Sequence, residues 1–251
     1  MAISKNIFYS FLYISFTLPI FSFAEDVTII THDFPSKTEK WGENQIGGIA
    51  GEIISQAFKH KNITFKIIWE PWIRAQEDCL ANTDSKSFII PFTRNPDREK
   101  KYIWVSKIYN ADTVFISYKG TKPINSLQEV KNKKIGVMLA TSYETFLLNQ
   151  KLMKQNIISV PKDSQNVKAL EEKTIDAWYT SVIGALSFLK EQKLNIDYYT
   201  FGNKIDTEEN YIATTKKTSE KLISKVKQAI ESFKKTPQYS AIVRKYTGKN
   251  P

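Results

Sequence analysis

Between Pro71 and Ser106 the chain sets out an aromatic, a β-rich run and two arginines in an order suited to gripping an anion. P-W-I-R-A opens a helix on Trp72, S-F-I-I-P-F reads as a buried strand, and T-R-N-P-D-R is a turn. Arg94 and Arg98 on that turn are planar donor forks that match a carboxylate in two-toothed fashion. Trp72 offers a flat apolar wall against which a ligand can stack. Thr93 adds a hydroxyl, and Asp33-Phe34 adds a carboxylate and a ring just after the first predicted strand. Further along, Thr141-Ser142 heads a predicted helix, where free backbone N–H groups favour anions. This is the chemistry of holding a molecule. Catalysis needs a positioned acid or base, and Asp33 and Glu70 are the only obvious acids near predicted loops. With His32, His60 and the lone Cys79 scattered along the chain, no metal site can be assembled and no cofactor is implied.

The elements that must position these residues alternate between strand and helix patterns. Strands are expected at 27–31, 63–69 and 88–92, with helices at 49–58 (entered through Gly47-Gly48) and 72–80. That order is βαβαβ, the unit of a parallel sheet covered by helices. An extended segment at 112–118 follows, and the pattern then restarts. Strands are expected at 134–139, 157–160 and 175–179, with helices opening at Thr141 and spanning 167–172 and 182–190. Extended pieces at 198–201 and 210–214 lead to two terminal helices. One carries the stripe Leu222, Ile223, Val226, Ala229, Ile230 and Phe233; the other begins at Thr236-Pro237 and ends near Gly248. Two α/β units joined by extended segments make two sub-domains, and ligands of such sheets bind outside the carboxyl ends of the strands. The pocket is expected between the two halves.

Residues 1–24 read as an export signal: Lys5, an apolar run from 7 to 20, then Ser22-Phe23-Ala24 as a cleavage site. No cysteine follows the site to carry a lipid, and no later run is long enough to span a bilayer. Hydrophobic residues make up 41% of the chain and aromatics 13%, enough for a packed core. A single cysteine forms no internal disulfide, and Cys79 falls on the apolar side of its helix. The formal charge of +10 raises nucleic acid or an anionic membrane as partner. The lysines are spread among glutamates, as in Lys168-Glu171-Glu172-Lys173, which is a solvated surface and not a binding stripe.

The sequence resembles the periplasmic solute-binding proteins of ABC transporters, in particular the family 3 type that binds polar amino acids. Thr93 and Arg98 stand at the ends of that family's T-x-x-x-x-R turn, and Val105-Ser106 occupies its following F-S segment. The resemblance implies a two-lobed periplasmic-binding-protein fold of class α/β, each lobe a mostly parallel sheet flanked by helices, with a cleft between lobes. Lobe one is then 25–114 plus 210–251, lobe two 119–205, and the crossings 115–118 and 206–209. It implies that Arg98 clamps a ligand carboxylate, with Arg94 taking that role if the register slips. Asp33, Phe34, Trp72, Thr93, Thr141 and Ser142 are the other expected contacts. Where the family places an aspartate for the ligand's ammonium, the D-A-W-Y-T-S run places Thr180, which carries no charge. An α-amino acid is therefore one ligand class, and a carboxylate without the amine another.

The function implied is that of an exported, monomeric binding protein. It captures a small polar, carboxylate-bearing solute in the periplasm and delivers it to an inner-membrane ABC permease, with no nucleic-acid partner. Two alternatives share the fold: a ligand sensor for a membrane receptor, and an enzyme resembling cyclohexadienyl dehydratase.

Overall fold

The computed structural model describes residues 26–251, so the export signal expected over 1–24 lies outside them. The first half opens with β1 (Val27–Thr31), the hairpin β2 (Glu39–Gly42) and β3 (Gln45–Gly47), and helix α1 (Gly48–His60). It continues through β4 (Phe65–Trp69), α2 (Trp72–Ala81), β5 (Ser87–Thr93) and the single-turn helix α3 (Pro96–Glu99). A long strand, β6 (Ile103–Tyr118), then leaves it. The second half contains β7 (Ile135–Met138), α4 (Ser142–Leu148), β8 (Ile157–Val160), α5 (Asp163–Glu171), β9 (Ala177–Ser181), α6 (Val182–Glu191) and β10 (Tyr199–Phe201). Strand β11 (Asp206–Thr214) returns the chain to the first half, which closes with α7 (Glu220–Phe233) and α8 (Pro237–Thr247).

The strand order β4-β1-β5-β11-β6-β9-β7-β8 shows how the halves are joined. β1, β4 and β5 are parallel, as are β7, β8 and β9, which is the βαβ arrangement expected from the sequence. β6 and β11 are antiparallel partners from Ile103 to Thr113, and both run from one half to the other. Beyond Thr113, β6 pairs with β9 and then β10. Residues 115–118, expected as a crossing, thus belong to the sheet of the second half. The chain crosses a few residues earlier, where Thr113 is opposite both Asp206 and Ser181.

Each half has its own apolar core. Helix α1 buries Ile49, Ile53, Ile54, Ala57 and Phe58 against Val226, Ala229, Ile230 and Phe233 of α7, four residues of the predicted stripe. In the second half, Trp178 packs with Val167, Leu170 and Leu189, and Tyr179 on the opposite sheet face packs with Phe115 and Leu147. Cys79 is fully buried, and burial pushes its thiol far up, as expected for an inert core residue. Among the described residues, no helix is long and apolar enough to cross a membrane.

Candidate functional site

The turn after β5 folds as its composition dictates. Asn95 caps α3 by accepting the Arg98 backbone N–H at 3.0 Å, and Pro96 takes the first helical position. This cap fixes where Arg98 emerges, and its side chain turns inward, leaving the residue 8% exposed. It lies 4.1 Å from the centre of the Phe92 ring, an attraction worth about 2 kcal/mol when desolvated. Nη1 donates to the Thr93 carbonyl at 3.0 Å, and Nη2 donates to Gln76 Oε1 at 3.0 Å and to the Ala140 carbonyl at 3.3 Å. Every one of these acceptors is neutral, and among the described residues no carboxylate forms an ion pair with Arg98. Burial holds its pKa down to about 10.

Arg94 has the opposite surroundings. It is exposed, grips Glu99 with Nε and Nη2, and lies outside the cavity that Arg98 lines. The two arginines of the turn therefore separate into a surface ion pair and a buried cation.

That cavity, about 30 Å³, lies between the halves and includes Phe34, Trp72, Thr93, Arg98, Thr141 and Ser142 in its lining. Six of the nine expected site residues are thus brought together. Trp72 stands edge-on between Phe34 and Phe92, at 5.1 and 5.9 Å between ring centres. Thr141 caps α4, accepting the Glu144 N–H at 3.4 Å, and its hydroxyl donates to the Met138 carbonyl at 2.6 Å.

The other three sit elsewhere. Asp33 is exposed and accepts the Lys40 N–H at 3.2 Å, so it supplies no charge to the cavity. Arg94 is on the surface as described. Thr180 is buried opposite Val114 and does not line the cavity. Side chains alternate along a strand, and the next residue, Ser181, is on the other face, also buried and behind the lining residue Tyr143. Ser181 accepts the Gly184 N–H at 3.2 Å and is hydrogen-bonded to Tyr143.

Three charged residues of the site are absent from the sequence reading. Lys37, in the loop between β1 and β2, is 9% exposed and donates from Nζ to the Tyr143 hydroxyl at 2.6 Å. Glu208 on β11 accepts from Thr93 Oγ at 3.2 Å and from Ser142. Asp163 at the start of α5 accepts from Trp178 Nε1 at 3.1 Å and from Asn166 at 3.2 Å. Burial raises both carboxyls above their ordinary values and lowers the Lys37 ammonium below its own. Period-two alternation is the one signal for Glu208, since in T-E-E-N it puts Glu208 and Asn210 on one strand face and Glu209 on the other.

Direct bonds join the halves across this site. Besides Lys37 to Tyr143 and Arg98 to Ala140, Gln76 Nε2 donates to the Ala140 carbonyl at 3.1 Å. Residues 27–249 match the bacterial extracellular solute-binding proteins, family 3. The chain belongs to that family. As a family 3 solute-binding protein it is 25% identical over 219 residues to the L-cystine-binding protein TcyJ of Escherichia coli (strain K12), covering 86% of this chain and 79% of the relative. It is 27% identical over 158 residues to a second protein of that strain, provisionally named an ABC transporter arginine-binding protein. That match spans 60% of this chain and 61% of the relative. Its fold matches the arginine-, lysine-, histidine-binding protein ArtJ of Geobacillus stearothermophilus at 18% identity, with a TM-score of 0.72 over 90% of this chain and 97% of that one. The family is that of bacterial extracellular solute-binding proteins.

Proposed function

We propose that this family 3 protein is the exported capture component of an ABC importer for a small carboxylate-bearing solute of amino-acid size. The observation that carries the reading is Arg98. A guanidinium has five N–H donors, and here three hydrogen bonds to neutral acceptors are formed. The remaining donors, on a guanidinium with no carboxylate in direct contact, suit a ligand carboxylate, and a charge-assisted pair in such a setting is about twice as strong as a neutral hydrogen bond. Phe34 and Trp72 supply the apolar wall, and Thr93 and Ser142 supply hydroxyls.

The cavity has room for about one water molecule, so entry of a solute requires the halves to part. The bonds from Lys37, Gln76 and Arg98 across the cleft would then break, and those to the ligand would re-form on closure. Capture is thus a shift between open and closed populations, driven by contacts made in the closed form alone. The names of the cystine- and arginine-binding relatives support the importer and the size of the solute. Removal of residues 1–24 and release into the periplasm complete the reading.

The test is a thermal-shift screen of the protein purified from the periplasm, against amino acids, their deaminated analogues, aromatic acids and short peptides. A ligand that binds the folded form raises the melting temperature. A rise with a carboxylate class supports the reading; a rise only with uncharged or cationic solutes overturns it.

A further inference from the structure

The loop that carries Lys37 is built to aim it. Phe34 and Thr38 exchange backbone bonds, with Phe34 N–H donating to the Thr38 carbonyl at 2.7 Å and Thr38 N–H donating back at 3.0 Å. The carbonyls of Ser36 and Lys37 accept the N–H groups of Ile49 and Ala50, in the first turn of α1, at 2.7 and 2.9 Å. The backbone is therefore held on both sides, and the side chain enters the cleft from a fixed base. Its ammonium lies 5.6 Å from the centre of the Phe34 ring and 4.8 Å from that of Tyr143, one ring from each half. A side-chain carbon on Gly184 would be 3.4 Å from Lys37 Cε and 3.7 Å from Nζ, so the second half also packs closely on the lysine.

Aromatic faces attract cations, and rings grouped about one point are a common way of binding an ammonium ligand. Here that position holds an ammonium already tethered to the chain. The acids facing it, Glu208 and Asp163, accept hydrogen bonds from Thr93, Trp178 and Asn166. On the second half, β9 ends on the neutral pair Thr180-Ser181, with Ser181 hydrogen-bonded to Tyr143. A ligand ammonium entering here would meet the Lys37 ammonium, with both rings facing that cation and both acids already holding protein donors.

Resting on the reading of Arg98 as a carboxylate site, we infer that Lys37 is the cleft's resident cation and selects an organic acid that has no ammonium group. The carboxylate or carboxylates of such a ligand meet Arg98 and Lys37, and the lysine takes the place an α-ammonium would fill.

The test compares matched compounds by calorimetry: glutamate with 2-oxoglutarate and glutarate, and phenylalanine with phenylpyruvate and 3-phenylpropionate. An amine-free member of a set is expected to bind at least tenfold more tightly than its amino acid. Lys37→Met is expected to weaken the acid at least tenfold and to remove or reverse the preference. An amino acid that binds as tightly as its amine-free partners, or more tightly, overturns the role of Lys37 and leaves Arg98 standing. No binding by any member overturns the carboxylate reading and this inference with it. The wild-type comparison decides even if the methionine variant does not fold.

Discussion

The carbonyl of Lys37 rests directly on Gly48: a side-chain carbon at Gly48 would fall 2.5 Å from the Lys37 carbonyl carbon. Gly48 also has φ of +73°, a conformation that costs other residues strain. Gly48→Ala is thus expected to destabilise the protein by more than about 1 kcal/mol. It should also weaken ligand binding by displacing the lysine loop. Urea unfolding reads the first effect and calorimetry the second. A variant with an unchanged urea midpoint would show that the loop yields without cost.

Arg98→Ala should weaken carboxylate binding at least tenfold, which corresponds to about 1.4 kcal/mol. The Thr93 and Ala140 carbonyls and Gln76 lose a donor in the same variant. Arg98→Lys keeps the charge but not the fork, and is expected to recover part of the affinity. Unchanged affinity in the alanine variant, with an intact circular dichroism spectrum, would remove Arg98 from the site.

Gln76 sits between Arg98 and the second half, accepting from the first and donating to the Ala140 carbonyl. Gln76→Glu would place a carboxylate of the protein's own on the guanidinium. The expected result is an affinity for carboxylate ligands reduced at least tenfold, because the clamp is already neutralised. Gln76→Ala loses the bridge without supplying a competing charge, and should cost less. Equal losses in the two variants would mean that Gln76 acts by joining the halves and not through Arg98.

What the sequence makes legible follows from how evenly each element is buried. Helix α1 and strands β1 and β5 keep their faces buried along their length, so their apolar pattern reads directly. Strand β6 passes from one half to the other, and its pairing with β11 shifts register between Asn210 and Tyr211 and again between Ile212 and Ala213. Each shift changes which side chains face the core, so only 112–118 of its sixteen residues read as extended. The same limit applies to the site. Trp72 is legible as a ring beside a strand end, whereas local pattern does not separate Arg98 from Arg94, which follows β5 directly and pairs with Glu99 on the surface. Lys37 stands between Ser36 and Thr38 in a polar loop, and nothing local distinguishes it from the solvated lysines. Its burial depends on Tyr143, more than a hundred residues away in the chain.

Glu208 makes stability depend on pH in a defined direction. Burial raises its carboxyl above the ordinary value of 4.5, opposed by bonds from Ser142 and Thr93 and by the charges of Lys37 and Arg98. Tyr109, Tyr143 and Tyr179 are the tyrosines that feel its charge. The folded state therefore holds a proton that the unfolded chain releases near 4.5. Stability from this group is fully present below that pH and is lost as pH rises through the raised value. Asp163 acts in the same direction from 3.8, whereas the surface acids Asp26 and Glu99 are lowered and act below their ordinary values. Glu208→Gln keeps an acceptor for Thr93 but has no proton to lose. Measured by urea unfolding from pH 4.5 to 8, the variant should gain on the wild type as pH rises, by at most about 1.4 kcal/mol per pH unit. The gain should level off above the raised value. A difference that stays constant across the range would place the Glu208 carboxyl at its ordinary pKa and release it from the buried cluster.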